Sequence, residues 1–170
     1  TAHGVRWGLY GQYLISAWRL NGGYLDNCGG NHGSIVGSAT FGSTSLPPFY
    51  ERIGLAFTNT LPMAAGFSVA TVPHSGSLNL TTNYTIEFWI KPSSQGGSGT
   101  YQMIMSKGPA DGTQSSFWIA LHKPTGKIRF SALGSFSGLI QESASVLVVD
   151  KWSHVAISYG PYNQVYRSTI

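Results

Sequence analysis

Charge is what this sequence has least of. Asp, Glu, Lys and Arg together make up only 9% of its 170 residues, well below the roughly 25% of an ordinary soluble domain. A chain held open by charge is thereby excluded, because such chains are charge-rich and poor in aromatics. Apolar residues reach 42% and aromatics 13%, enough to pack the interior of one domain of this length. The ten basic residues outnumber the six acids but are scattered, and the nearest thing to a cluster is the pair Lys127 and Arg129. Nucleic-acid binding by a stripe of cations and membrane attachment by a polybasic segment are both excluded. No apolar run is long enough for a membrane-spanning helix. Cysteine occurs once, at Cys28, so no disulfide forms within the chain. With no positioned base in its neighbourhood, Cys28 reads as a small loop residue beside Gly29 and Gly30. Helical periodicity is missing as well.

What the chain does have is short apolar alternation broken by Gly, Ser, Pro and Asn, the pattern of a many-stranded β protein. In Tyr84–Lys91, Tyr84, Ile86, Phe88 and Ile90 fall on one face, and Thr85, Glu87, Trp89 and Lys91 on the other, before Pro92 ends the strand. In Ser116–His122, Phe117, Ile119 and Leu121 oppose Trp118, Ala120 and His122. A turn at Pro124-Thr125-Gly126 leads into Lys127–Ala132, with Ile128, Phe130 and Ala132 inward, so these two strands read as a hairpin. Trp152–Tyr159 places Val155, Ile157 and Tyr159 on one face. Further strands are predicted at Leu14–Leu20, Ser34–Phe41, Ile53–Thr58, Phe67–Val72, Gln102–Ser106 and Ser145–Val149. One core is predicted to hold Ile86, Phe88, Ile119, Leu121, Phe130, Val155 and Ile157.

The resulting fold class is all-β, an antiparallel sandwich. Residues 1–13, rich in Gly and aromatics, read as an arm or linker, and residues 14–170 as the domain. The segment Asn83-Tyr84-Thr85-Ile86-Glu87-Phe88-Trp89-Ile90-Lys91-Pro92 resembles the central strand of laminin-G-like, concanavalin-type jelly rolls. Upstream, Ala17-Trp18-Arg19-Leu20-Asn21-Gly22, Asp26 and Gly30-Asn31-His32-Gly33 resemble that family's opening strand and loop. Downstream, Met105-Ser106-Lys107-Gly108, Phe117–Leu121, Gly126–Ser131 and Lys151-Trp152-Ser153-His154-Val155-Ala156 follow in its order. The resemblance implies several strands after the Trp-x-His-Val strand, whereas this sequence ends at Ile170 in what reads as the next one. A sandwich lacking its C-terminal strands is therefore expected, completed by further chain or by another subunit. The opening on Thr1 rather than Met carries the same expectation of a processed chain or a piece of a longer one.

Some jelly rolls of this superfamily cleave glycans, which takes two carboxyl groups facing one sugar bond. Asp26, Glu51, Glu87, Asp111, Glu142 and Asp150 are each isolated in sequence, so a glycan hydrolase or lyase is the disfavoured reading. His3, His32, His74, His122 and His154 make no His-x-His or His-x-x-x-His pair, leaving a zinc site without local support. His154 resembles a structural histidine of the family, beside Trp152. The resemblance also implies Ca²⁺ at the sandwich rim, for which Asp26, Asn27 and Asn31 are the candidate ligands and Asp111 a further contributor. The competing reading makes Asp26 the cap of its own Gly-rich turn. For glycan binding the candidates are Trp118 and Trp89, joined by His122 on the face opposite the core; packing is the alternative role for each tryptophan. Trp7, Tyr10, Tyr162 and Tyr166 are candidates for contacts between chains. Two Asn-x-Thr acceptor patterns begin at Asn79 and Asn83, which matter only in a chain secreted through an endoplasmic reticulum.

The expected function is a non-enzymatic recognition or adhesion module that contacts a glycan or a protein. A polar, nearly uncharged surface suits the outside of a cell or virion. The alternative is a structural virion component, such as a capsid decoration or tail-fibre domain, in which the arm docks on neighbours.

Overall fold

A computed structural model describes residues 14–20, 22–37, 39–44, 54–58, 69–80, 83–92, 99–108, 117–132, 140–160 and 164–169, with only the backbone of 42–44, 54–58 and 164–169. The described chain is antiparallel β throughout, with one 3-10 turn at Gly76–Leu78 and no helix able to cross a membrane. It divides into two compact units at Asn79/Leu80.

The second unit is a two-layer sandwich. One layer orders β11 (Gln164–Thr169), β10 (Ser153–Tyr159) and β5 (Tyr84–Ile90); the other orders β6 (Tyr101–Lys107), β7 (Phe117–His122), β8 (Lys127–Ser131) and β9 (Ile140–Val146). The predicted alternation fixes the packing. Val155 lies opposite Phe88 and Ile157 opposite Ile86 in the first layer, and Ile119 opposite Phe130 and Leu121 opposite Ile128 in the second. Ile119, Leu121, Ile128, Phe130, Val155 and Ile157 are all but inaccessible and form one core, against which Ile86, Phe88 and Ile90 pack. Burying each such side chain contributes about 1.5–3 kcal/mol, so the core rests on the residues whose two-residue period marked them. The β7–β8 hairpin turns where expected, and Gly126 takes φ 67°, a left-handed conformation that favours glycine. Among the described strands β11 pairs with β10 and stands at the end of its layer.

Among its described residues the first unit holds two short ladders, β1 (Ser34–Val36) with β4 (Val69–Thr71) and β2 (Thr40–Thr44) with β3 (Gly54–Thr58). Here the structure departs from the sequence pattern. Leu14–Leu20 is not a strand: its ladder contact is a single bridge, Trp18 to Asp26. The side chain of Asp26 takes the amide of Ala17 that a strand would have used, a side-chain-to-backbone bond that competes with sheet formation. Leu20 then turns the chain with φ 52°. The expected Ser34–Phe41 strand is split at Gly37, φ 90°. In the second unit the strand expected at Ser145–Val149 instead runs over Ile140–Val146. Its Gln141, Glu142 and Ser143 gave no apolar alternation, and Ser143 is held by accepting the Ile128 amide at 3.0 Å.

Candidate functional site

The outer face of the β6–β9 layer carries the ion pairs of Glu142. Antiparallel register arranges it in rows. Tyr101, His122 and Lys127 stand side by side across β6, β7 and β8; Met103, Ala120, Arg129 and Glu142 form the next row; Ser106, Trp118, Ser131 and Ile140 the third. Side chains in adjacent rows lie diagonally within reach of each other. Arg129 consequently donates from Nε to Glu142 Oε2 at 2.7 Å and from Nη1 to the Tyr101 hydroxyl at 2.6 Å. Its guanidinium carbon sits 5.6 Å from the Tyr101 ring centroid, within cation–π range. Lys127 Nζ reaches Glu142 Oε1 at 3.2 Å. His122 leans its ring on Tyr101, centroids 5.3 Å apart, and its Nδ1 pairs with the Thr125 hydroxyl at 2.8 Å.

The electrostatics follow from these contacts. The Arg129 hydrogen bond is the main influence on Glu142; with Lys127 it outweighs desolvation and holds the carboxyl below the usual range. Arg129 is pushed upward, chiefly by Glu142. Glu142 is the shared partner of the Lys127 and Arg129 ion pairs. In a chain so poor in charge, this concentration marks the face.

Exposure differs along the face. Lys127, Glu142 and Arg129 side chains are 30%, 29% and 24% exposed, whereas Trp118 is 0% exposed. Trp118 therefore cannot stack on a ligand. It packs edge-on against Tyr101, centroids 6.0 Å apart. Alternation along β7 correctly sends it away from the core, but whether an outward side chain is covered is not a local property. Trp89 is also displaced from the expected grouping: it lies on β5, in the other layer, half-buried beside His154 at 5.1 Å. His154 in turn is 3.6 Å from Glu87. Of the three ligand candidates, then, Trp118 and His122 share a sheet face and Trp89 does not. Tyr101, Arg129 and Glu142 were missed as a group. The hairpin pattern already placed Lys127 beside His122, but Glu142 joins them only once the register of β9 is known.

The Asp26 loop of the first unit is a different kind of site. Asp26 is 5% exposed. Its Oδ1 accepts from the amides of Ala17 at 2.9 Å and Cys28 at 3.0 Å, and its Oδ2 from that of Asn31 at 3.1 Å. Burial is the largest single influence on the carboxyl and raises it, but the amides of Ala17, Cys28 and Gly29 and the Ser16 hydroxyl together hold it far below the carboxylate range. Asn31 bonds Ser16 and Ser77, and its carbonyl accepts from the Trp18 indole at 2.7 Å. This donor set does not fit a hard cation: both Asp26 oxygens already face N–H groups, and no cluster of three metal-ligating acids, His or Cys occurs among the described residues. Asn27, the third candidate ligand, donates its amide to Ala17 within the same loop. Trp7, Tyr10, Tyr162 and Asp111 lie outside the described residues, and Tyr166 is placed on β11 opposite Ala156 by its backbone.

Residues 65–168 match the family model of the concanavalin A-like lectin/glucanase superfamily, in its laminin G form. The chain belongs to that family. Neither a curated protein nor a solved structure matches it.

Proposed function

We propose that this chain is a non-catalytic recognition module that binds a glycan or a protein surface at the exposed part of the β6–β9 face, on the exterior of a cell or virion. The observation that carries this reading is the Tyr101–Arg129–Glu142–Lys127 cluster, in which four long polar side chains are locked across strands yet remain partly accessible. Groups held in advance lose little freedom on binding, which favours recognition. Family membership supports the same reading, since laminin G-like domains are generally binding modules. Against hydrolysis stands the chemistry of the face. Cleavage needs a pair of carboxyl groups about 5–9.5 Å apart, one of them raised so that it can donate a proton. Glu142 is the sole carboxylate of the described cluster, and it is lowered.

The test is a binding screen against glycans and surface proteins, comparing the parent chain with Tyr101→Ala, whose fold is checked by circular dichroism. Binding should be lost in the variant while the β spectrum persists. Release of reducing ends from laminarin or agar by the purified chain would overturn the non-catalytic reading.

A further inference from the structure

We infer that the connection between β9 and β10 is a membrane-docking turn, which seats Val146, Val148 and Val149 in the interface of an anionic bilayer. The turn presents an apolar surface where the fold requires none. Of the exposed large hydrophobic residues in the second unit, one is Met103 and the other three are Val146, Val148 and Val149, 45%, 41% and 39% exposed. Single exposed apolar residues are ordinary, whereas a group of them marks an interaction site. Val148 and Val149 open a reverse turn, which the Lys151 amide closes by donating to the Val148 carbonyl at 3.2 Å. Turn positions go mostly to Gly, Pro, Asn, Asp or Ser. Asp150 follows that preference with φ 60°; the two valines do not, and neither belongs to the core cluster.

The turn is held in place from both sides. Leu147 is buried in the core, and its amide donates to the Gly126 carbonyl at 2.7 Å. The Asp150 amide donates to the Pro92 carbonyl, also at 2.7 Å. These bonds tie the connection to the β7–β8 turn and to the segment that follows β5. A loop fixed in advance loses little freedom when it inserts.

Charge selects the occupant. The sequence scatters its lysines and has no polybasic segment, but the fold brings four of the five to this end of the second unit. Lys151 closes the turn and is exposed, Lys91 directly precedes Pro92, Lys123 opens the β7–β8 turn, and Lys127 lies opposite Val146 in the ladder. The fifth, Lys107, stands at the far end of β6, opposite Phe117. Lys127 is tied to Glu142 on the sheet face, and Asp150 sets one acid in the turn itself; the balance stays positive. An apolar tip flanked by lysines fits a lipid surface, where the acyl boundary takes the valines and the headgroup phosphates meet the ammonium groups. A soluble acidic ligand would engage the lysines and leave the valines in water.

The experiment measures co-sedimentation of the full chain with phosphatidylcholine vesicles, with and without phosphatidylserine, and circular dichroism checks the fold of each variant. Binding should be stronger with phosphatidylserine. The double variant Val148→Ser, Val149→Ser keeps the charge and should bind on the order of tenfold more weakly, because inserted apolar area is lost. Lys151→Gln should weaken binding about fivefold, the worth of one cation near an anionic leaflet. Lys107→Gln, at the other end, should weaken it by less than about twofold, because salt screens distant charges. Val149→Trp should strengthen binding, since Trp favours the bilayer interface, and its fluorescence should shift to the blue when vesicles are added. No binding to either vesicle, an unchanged affinity in the double valine variant, or equal losses for Lys151→Gln and Lys107→Gln would overturn the inference. So would a purified protein held through the same valines by a chain that ignores vesicles. Glycan or protein binding that is lost in Tyr101→Ala would survive each of those results, so the turn and the sheet face fail separately.

Discussion

Asp26 and Glu142 are both carboxylates held below their ordinary range, by opposite means. Asp26 is buried in a loop and bonded by backbone amides from Ala17, Cys28 and Asn31. Those donors belong to the chain's own path, so the side chain is an organiser of that path. Glu142 lies at a sheet surface and is bonded by the ends of two long side chains, Lys127 and Arg129. Its partners are side chains rather than backbone groups. A lowered carboxyl by itself does not indicate function. The identity of its donors separates a group that holds the chain's path from a group that ties side chains together at a sheet surface.

Breaking the comparison at Asp26 should have the largest effect. Asp26→Asn turns an amide NH₂ towards N–H donors and is expected to cost about 3 kcal/mol in urea denaturation, as for losing charged hydrogen bonds at a buried site. Amide exchange should rise at Ala17, Cys28 and Asn31 and stay unchanged in β7 and β8. The same variant bears on acid sensitivity. Both carboxyls have folded values below their reference values of 3.8 and 4.5. The unfolded chain therefore binds protons first as pH falls, and their stabilisation, complete above those values, is lost progressively below them. A plot of stability against pH should fall more gently on the acid side in Asp26→Asn than in the parent chain.

The next largest effect is expected at Gly29→Ala. A Cβ there would meet the Ile15 carbonyl at 2.7 Å and Asp26 Oδ2 at 2.8 Å, so the loop must shift, at about 2 kcal/mol of stability by analogy with overpacked sites. Gly126→Ala, in the β7–β8 turn at φ 67°, should cost about 1 kcal/mol and lower the melting temperature modestly. Glu142→Gln should be the mildest, below about 1 kcal/mol as for partly exposed ion pairs. If it destabilised the protein as much as Asp26→Asn, the distinction between the two carboxylates would collapse.

The sequence alone determined the faces of the main strands. The two-residue periods of β5, β7, β8 and β10 put Ile86, Phe88, Ile119, Leu121, Phe130, Val155 and Ile157 inward, because the pleat is local and alternates whatever lies beyond it. It also determined the turn at residues 124–126, where Gly126 supplies the conformation. Tertiary structure decided the rest. The Tyr101–Arg129 bond spans 28 residues and the Asn31–Ser77 bond 46, so neither leaves a local periodic trace. Trp118 faces outward as its pattern requires, yet it is fully covered. Leu14–Leu20 had the composition of a strand and lost its ladder to one carboxylate. Which face a side chain leaves from is set by its neighbours along the chain; what it meets there is set by register between strands far apart in sequence.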